Sequence, residues 1–435
     1  MTPATLSPNA ALVGALGARV AHAPERPFRA VVAISIGNAL EWFDIVIYGF
    51  LAATMSRLFF PAGNETSALL IALGTFGVTF VIRPLGALAL GVLADRAGRK
   101  KALGLSIGMM LAGTLMLATA PTYAQAGLAS PIIVIVARLV QGFAAGGEFG
   151  GATALLAELD TRRRGYYTSW QFASQGLTTL LAASFGFGIN EFLTSSQLAS
   201  WGWRIPFAFG LLLAPTGLYL RRHLGESAGF VRSEPLRRPA RALLAEDAGR
   251  VLTAGGLVVL ATILAYTGLF MPTYAARQLG LPSSTGFVGT WVLGLVQLVL
   301  VPCFGALSDR VGRLRVMSVA ALASLVMVVP AFAFLAQRPT VSSLVLVQAA
   351  LGVAATAYWG PLSAAMSEMF PLRTRGTGLS ISYSGAVAVF GGSAPFINAW
   401  LIVASGSRIA PAYYVVFGAL LSLLALRFAR RYGVR

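Results

Sequence analysis

Long apolar runs alternate with short polar turns along nearly the whole chain. The runs lie at about 30–56, 67–93, 102–120, 131–157, 166–190, 204–221, 251–274, 284–307, 316–336, 342–366, 377–404 and 411–428. A bilayer-spanning helix needs roughly 17–25 such residues, rising ~1.5 Å each. The pattern therefore predicts an all-α membrane protein with twelve transmembrane helices. Every run is rich in glycine and alanine, and small residues let membrane helices approach closely.

The longest polar stretch, 222–250, follows the sixth run and divides the chain into two six-helix halves. The expected layout is a tail at 1–29, a first half at 30–221, a central loop at 222–250, a second half at 251–428 and a tail at 429–435. The halves repeat each other. Gly91-Val-Leu-Ala-Asp95-Arg96-Ala-Gly98-Arg99 recurs as Gly305-Ala-Leu-Ser-Asp309-Arg310-Val-Gly312-Arg313, offset by 214, in the turn after the second helix of each half. A weaker echo links Glu158 and Arg162-Arg163-Arg164-Gly165 to Glu368 and Arg373-Thr-Arg375-Gly376. Two six-helix halves are the architecture of the major facilitator fold, with the substrate site near mid-membrane between them.

Composition agrees: 57% of residues are hydrophobic and only 11% charged. The net charge of +18 would suggest nucleic acid in a soluble protein,. Here its placement explains it. Of the 33 basic residues, 26 fall in the turns of one side and five in those of the other. An even number of crossings puts both termini on one side, and the basic side is expected to be the cytoplasm. No nucleic-acid partner, cofactor or metal site is expected: both histidines, His22 and His223, lie outside the runs,. The one cysteine, Cys303, lies inside a run and is expected to serve helix packing.

Five charged residues interrupt the runs away from their ends: Glu41, Asp44, Arg83, Arg138 and Glu148, all in the first half. An ionised group at the bilayer centre costs at least ~2.5 kcal/mol. Gly37, Glu41, Asp44 and Tyr48 share one helical stripe, expected to face a water-filled or protein-lined cavity,. Three acids against two arginines leave one negative charge too many in a low dielectric. At least one acid should then carry a proton in part of a working cycle. That points to proton coupling through Glu41, Asp44 and Glu148. Arg83 and Arg138 suit a carboxylate, because the planar guanidinium donates two parallel hydrogen bonds. With the repeats aligned, Arg83 corresponds to Gln297, Arg138 to Gln348 and Glu148 to Tyr358.

Neutral candidates for substrate contact are Asn38, Gln141, Gln171, Gln175, Tyr358 and Tyr383. In the fifth helix Tyr167, Gln171, Ser174, Gln175 and Thr178 share a face; they either line the cavity or bond neighbouring helices,. Tyr266, Tyr274 and Ser382 are weaker candidates in the second half. The repeated turn is expected to latch the basic side of the bundle through Asp95, Arg96 and Arg99 in one copy and Asp309, Arg310 and Arg313 in the other.

These residues resemble the metabolite–proton symporter family of the major facilitator superfamily. The resemblance is carried by Gly37-Asn-Ala-Leu-Glu-Trp-Phe-Asp44, Arg83-Pro-Leu-Gly86, the Asp95 turn, Arg138-Leu-Val-Gln-Gly-Phe-Ala-Ala-Gly-Gly-Glu148-Phe-Gly-Gly151 and Trp201-Gly-Trp-Arg-Ile-Pro-Phe207. Tyr167-Thr-Ser-Trp-Gln171-Phe-Ala-Ser-Gln175 is more similar to the citrate and tricarballylate branch than to the shikimate, 2-oxoglutarate or proline/betaine branches. The resemblance implies uptake of a carboxylate metabolite with protons across a bacterial inner membrane; alternating access by rocking of the halves, in a monomer, is expected. The alternative is a proton-coupled transporter of a dicarboxylate, an aromatic acid or a zwitterionic osmolyte. A membrane enzyme fits poorly, since the runs hold no histidine and no soluble catalytic domain is present.

Overall fold

The computed structural model describes residues 27–97, 99–212, 247–372 and 374–434. The tail up to 26, most of the central loop, Arg373 and Arg435 lie outside them, as do the side chains of Asp95, Arg96, Arg99 and Glu148.

The helices follow the apolar runs. α1 is Pro27–Phe50, continued beyond Leu51 by Ala52–Phe59 at an angle of 64°. α2 is Glu65–Val81 and Arg83–Ala97, joined at Ile82; α3 is Arg99–Thr119. α4 is Ala129–Ala144 and Glu148–Leu159, joined by a 3-10 turn at Ala145–Gly147. α5 is Arg164–Phe192, and α6 starts at 205 and is described to 212. The second half supplies α7 (Ala248–Gln278), α8 (Thr285–Val311), α9 (Arg313–Gln337), α10 (Val341–Met369), α11 (Arg375–Ala386 and Ala394–Ser405) and α12 (Ala410–Ala429). Among the described residues nine helices are long and apolar enough to span a membrane, the bent α1 makes a tenth, and Gly104–Thr119 of α3 is a shorter apolar helix. This is the major facilitator fold.

Small residues set the spacing that places the arginines. A methyl group at Gly142 would collide with the Thr79 carbonyl, and one at Gly86 with the Phe143 carbonyl. α2 and α4 therefore cross backbone to backbone, between Arg83 on one helix and Arg138 on the other. α11 is interrupted by a π turn at Val387–Gly391, where the Gly392 N–H donates to Val387 O at 2.8 Å. Cys303 departs from its expected role. It is exposed on the flank of α8, its thiol turned back to Val299 O at 3.3 Å, so it packs no helix interface.

Candidate functional site

A cavity lies between the halves, with about 50 Å³ open to the centre of a water-sized sphere. At roughly 10–15 Å³ per water it has room for only a few. α1 lines it with Trp42, Val46 and Phe50, α5 with Gln175, Thr178 and Thr179, and α7 with Thr262, Tyr266 and their neighbours. Gln297 of α8, Trp359 of α10 and Tyr383 of α11 complete the polar and aromatic wall. Among the described residues no charged side chain lines it.

The acidic stripe of α1 points elsewhere. Trp42, Val46 and Phe50 recur at i, i+4 and i+8 and face the cavity,. Asp44 and Tyr48 lie on another face, inside the first half. There the Thr114 hydroxyl donates to Asp44 Oδ2 at 2.6 Å, and Gly210 of α6 packs against the same carboxylate. Arg138 donates to Gln141 Oε1 at 2.9 Å, while Gln141 Nε2 donates to Thr114 Oγ1 at 3.0 Å. Asp44, Thr114, Gln141 and Arg138 thus form one buried chain. Glu41 is half-buried one residue before Trp42, and it is not without a partner.

The arginines rest on rings. Arg138 lies 4.5 Å from the Tyr48 ring centroid and 5.5 Å from Phe76. Arg83 lies 4.8 Å from Trp42 and 5.0 Å from Phe80. A guanidinium over an aromatic face gains ~2 kcal/mol or more when desolvated. Yet Arg83 Nε and Arg138 Nε and Nη2 have no hydrogen-bond partner, and neither side chain forms a salt bridge with a described residue. Trp42, which carries Arg83 on its ring, also lines the cavity.

Of the neutral candidates, Gln175 and Tyr383 reach the cavity. Asn38 and Gln171 do not line it: Gln171 Nε2 donates to Asn38 Oδ1 at 3.0 Å, and Asn38 Nδ2 donates to Ser174 Oγ at 2.7 Å. These residues pin α1 to α5. Tyr358 is fully buried and donates to Leu257 O at 2.8 Å, so it too is turned away.

Contacts between the halves lie above and below the cavity. At the basic end the Asp309 carboxylate accepts the N–H groups of Gly165 and Tyr166, at 2.9 and 3.0 Å, capping the start of α5,. Arg313 holds Asp309 at 2.7 Å and Glu368 at 3.3 Å, and Arg164 reaches Glu368 at 3.7 Å. Arg310 is exposed and takes no part. Just inside, Phe149 of α4 stacks on Tyr383 with centroids 3.5 Å apart. At the opposite end Phe50 packs edge-on against Phe287 at 5.6 Å, and Glu65 pairs with Arg277.

Comparison with known proteins agrees with this architecture. The family described as Sugar (and other) transporter matches residues 30–254, and Major Facilitator Superfamily matches 254–434. The chain belongs to the major facilitator superfamily. It is 37% identical to a citrate-proton symporter of Klebsiella pneumoniae, over 92% of this chain and 91% of that protein. It is 32% identical to a proline/betaine transporter of Escherichia coli (strain K12), over 91% of this chain and 82% of that protein. Among solved structures, a partially occluded inward open conformation of the Escherichia coli xylose transporter covers 94% of this chain and 98% of its own, with TM-score 0.72 and 17% identity. The chain is a multi-pass membrane transporter, not an enzyme.

Within this superfamily member, periodicity marks the arginines and Asp44 but passes over Trp42, Thr262 and the partnership of Glu65 with Arg277. Trp42 and its i+4 and i+8 neighbours carry a signal of their own, an aromatic edge beside the acidic stripe. Thr262 carries none, because a threonine in an apolar run ordinarily bonds its own helix.

Proposed function

We propose that the protein is a secondary symporter that couples proton entry to uptake of an organic carboxylate, citrate or a related tricarboxylate, across a bacterial inner membrane. The observation that carries this reading is the pair of buried guanidinium groups with unmet N–H donors behind a neutral cavity. Leaving such donors unmatched in a low dielectric is costly, and an anionic substrate would supply the missing acceptors. The names of the citrate-proton relatives point the same way.

In this reading Arg83 meets a carboxylate once Trp42 swings aside, and Arg138 responds through the rings. Asp44, with Oδ1 lacking a hydrogen-bond partner, is the principal proton site, joined by Glu41 and Glu148. The acids titrate as a group. Gln175 and Tyr383 contact substrate directly, while Asn38, Gln141, Gln171 and Tyr358 position the helices that do. Both termini lie in the cytoplasm, at the basic end, and the working unit is a monomer. The network of Asp309, Arg313, Glu368 and Arg164 must break for the cavity to open inward, together with the Asp95 turn of the first half.

Proteoliposomes with an inward pH gradient test this. Labelled citrate should accumulate and be released by a protonophore; absence of accumulation for every carboxylate in a panel would sink the reading. In Glu41→Gln or Asp44→Asn, citrate exchange should survive while gradient-driven accumulation is lost. A second reading is a zwitterionic osmolyte, favoured by the aromatic lining from Trp42, Tyr266 and Trp359, which suits a quaternary ammonium,. Including betaine in the panel separates the two.

A further inference from the structure

We propose that the second half reads the substrate through the hydroxyls of Thr262 and Tyr266, which together bind a hydroxyl of the carboxylate substrate. The proposal rests on the carboxylate reading above and names the part of the substrate that the arginines do not hold.

Thr262 and Tyr266 are one turn apart on α7, and both line the cavity,. Each is only 4% exposed. Neither Thr262 Oγ1 nor the Tyr266 hydroxyl has a hydrogen-bond partner. That is unusual for buried hydroxyls, which nearly always find one. Six other buried hydroxyls among the described residues, on Ser35, Thr79, Thr153, Ser363, Thr374 and Ser382, also lack a partner, but none of them lines the cavity. Tyr48, Tyr274, Tyr358 and Tyr414 all donate to backbone carbonyls, at 3.3, 2.9, 2.8 and 2.8 Å. Thr253, on the same helix as Thr262, bonds back to Gly249 O at 2.7 Å. Two adjacent exceptions, both on the cavity wall, mark a place where a ligand supplies the partner.

The pair is also held in place. Gly391 closes the π turn of α11 directly behind it, and a methyl group there would strike Thr262 Oγ1 and the Tyr266 ring. π turns occur often at functional sites, where they re-aim a backbone. In front, the Tyr266 ring packs edge-on against Phe76 at 5.8 Å and Phe80 at 5.2 Å. Those two rings carry Arg138 and Arg83 on their faces. Tyr266 therefore touches the aromatic supports of both buried cations, so a molecule that bonds its hydroxyl is linked to both arginines through those rings.

The chemistry selects the ligand group. An alcohol donates one hydrogen bond and accepts others, and so do threonine and tyrosine hydroxyls. Among the described residues no charged side chain lines the cavity, so this subsite suits a neutral oxygen rather than another carboxylate. A substrate with hydrogen in place of the hydroxyl would leave both protein groups unmatched, and a site built to bond a hydroxyl discriminates strongly against the analogue that lacks it.

Citrate and tricarballylate differ by that one hydroxyl, so their uptake by the full-length protein in proteoliposomes is the test. Wild type should prefer citrate in kcat/KM. Tyr266→Phe and Thr262→Val should each lower the citrate-to-tricarballylate ratio by roughly tenfold, the worth of one well-placed hydrogen bond. The fall should come from citrate alone, and Thr262→Ser should keep the wild-type ratio. Tricarballylate uptake in the same vesicles reports that the variants are folded. An unchanged ratio in both variants, an equal loss for both acids, or no preference in wild type overturns the subsite and leaves the carboxylate reading standing. If wild type moves neither acid but moves other solutes, that reading fails and the subsite falls with it.

Discussion

The two halves share a fold and a repeated turn, yet they solve the buried interior in different ways. The first half keeps Arg83 and Arg138 on aromatic faces and Asp44 on Thr114. At the matched positions the second half holds Gln297, whose side chain donates to Phe172 O at 3.0 Å, and Gln348, which is buried. One half thus buries charge; the other holds neutral hydrogen-bonding groups, of which Gln297 lines the cavity. The roles reverse in the contacts between the halves. At the basic end the acids Asp309 and Glu368 come from the second half, while at the opposite end the acid is Glu65 of the first. Duplication supplies two copies of the scaffold, and each copy is free to carry a different task.

The sharpest way to break this contrast is to make the first half resemble the second. Arg138→Gln copies Gln348 and leaves Asp44 without its nearby cation. Arg138 and Asp44 are joined through Thr114 and Gln141 rather than by a salt bridge, and losing a hydrogen bond to a charged group costs roughly 1.5–3 kcal/mol,. Gradient-driven uptake should fall by about ten- to a hundredfold, since each 1.36 kcal/mol is a factor of ten. Gln348→Ala should change it by less than about threefold, because no full charge is uncovered. Thermal unfolding in detergent separates folding from function: Asp44→Asn combined with Arg138→Gln should recover stability and remain inactive. If Gln348→Ala were as damaging as Arg138→Gln, the division of labour would be wrong.

A smaller effect is expected one ring from the cavity. Arg83→Lys keeps the charge but loses the flat face that lies on Trp42 and the fork that grips a carboxylate, so KM should rise by about tenfold. Gln297→Ala removes a single hydrogen bond to the α5 backbone and should cost only a few-fold, of the order of 1 kcal/mol. Initial rates across a citrate concentration series distinguish the two.

The closure at the basic end comes next. Asp309→Asn removes the charge that caps α5 and pairs with Arg313, and a hydrogen bond to a charged group is worth about 1.5–3 kcal/mol. The population should shift toward states open at that end. With the exposed Cys303 replaced by serine, the alkylation rate of a cysteine at Ser169, buried beside Gly305, reports it. No increase in rate would mean that Asp309 anchors α5 without closing the cavity.

Much of this was legible in the residues, and the remainder was hidden for identifiable reasons. Apolar runs gave the helices, because a membrane segment must satisfy its backbone internally and so reads as a long uninterrupted stretch. The bend after Phe50, the 3-10 turn before Glu148 and the π turn before Gly392 change only which carbonyl an N–H bonds; hydropathy does not register them. Charged positions stood out, but their neighbours did not. In a membrane helix both faces are apolar, so the stripe of Asp44 could not be told from the stripe of Trp42 as the cavity wall. Asn38 and Gln171 looked like ligands because a polar side chain in lipid must bond something, and in fact they bond each other. Glu65 and Arg277 meet across 212 residues outside the repeated turn, with no pattern to link them.

That last pair provides the finest test of the contrast, through pH. Arg277 holds the Glu65 carboxyl below its ordinary value, by hydrogen bond and by charge. A depressed carboxyl contributes its attraction fully above the unperturbed value of about 4.3 and loses it only as pH falls through the lower, paired value. From about pH 5 to 8 its charge is constant, so it has no part in any pH dependence there. The pair is also exposed, where ion pairs contribute little and salt screens them,. Glu65→Gln should therefore change citrate uptake by less than about twofold and leave the shape of its pH profile intact. Asp44→Asn should flatten the pH profile of the citrate exchange it retains, if Asp44 carries the coupled proton as proposed. Gradient-driven uptake by Glu65→Gln and exchange by Asp44→Asn, each measured across this pH range, decide between them. A profile altered by Glu65→Gln would move part of the proton response out of the buried cluster and onto the surface between the halves.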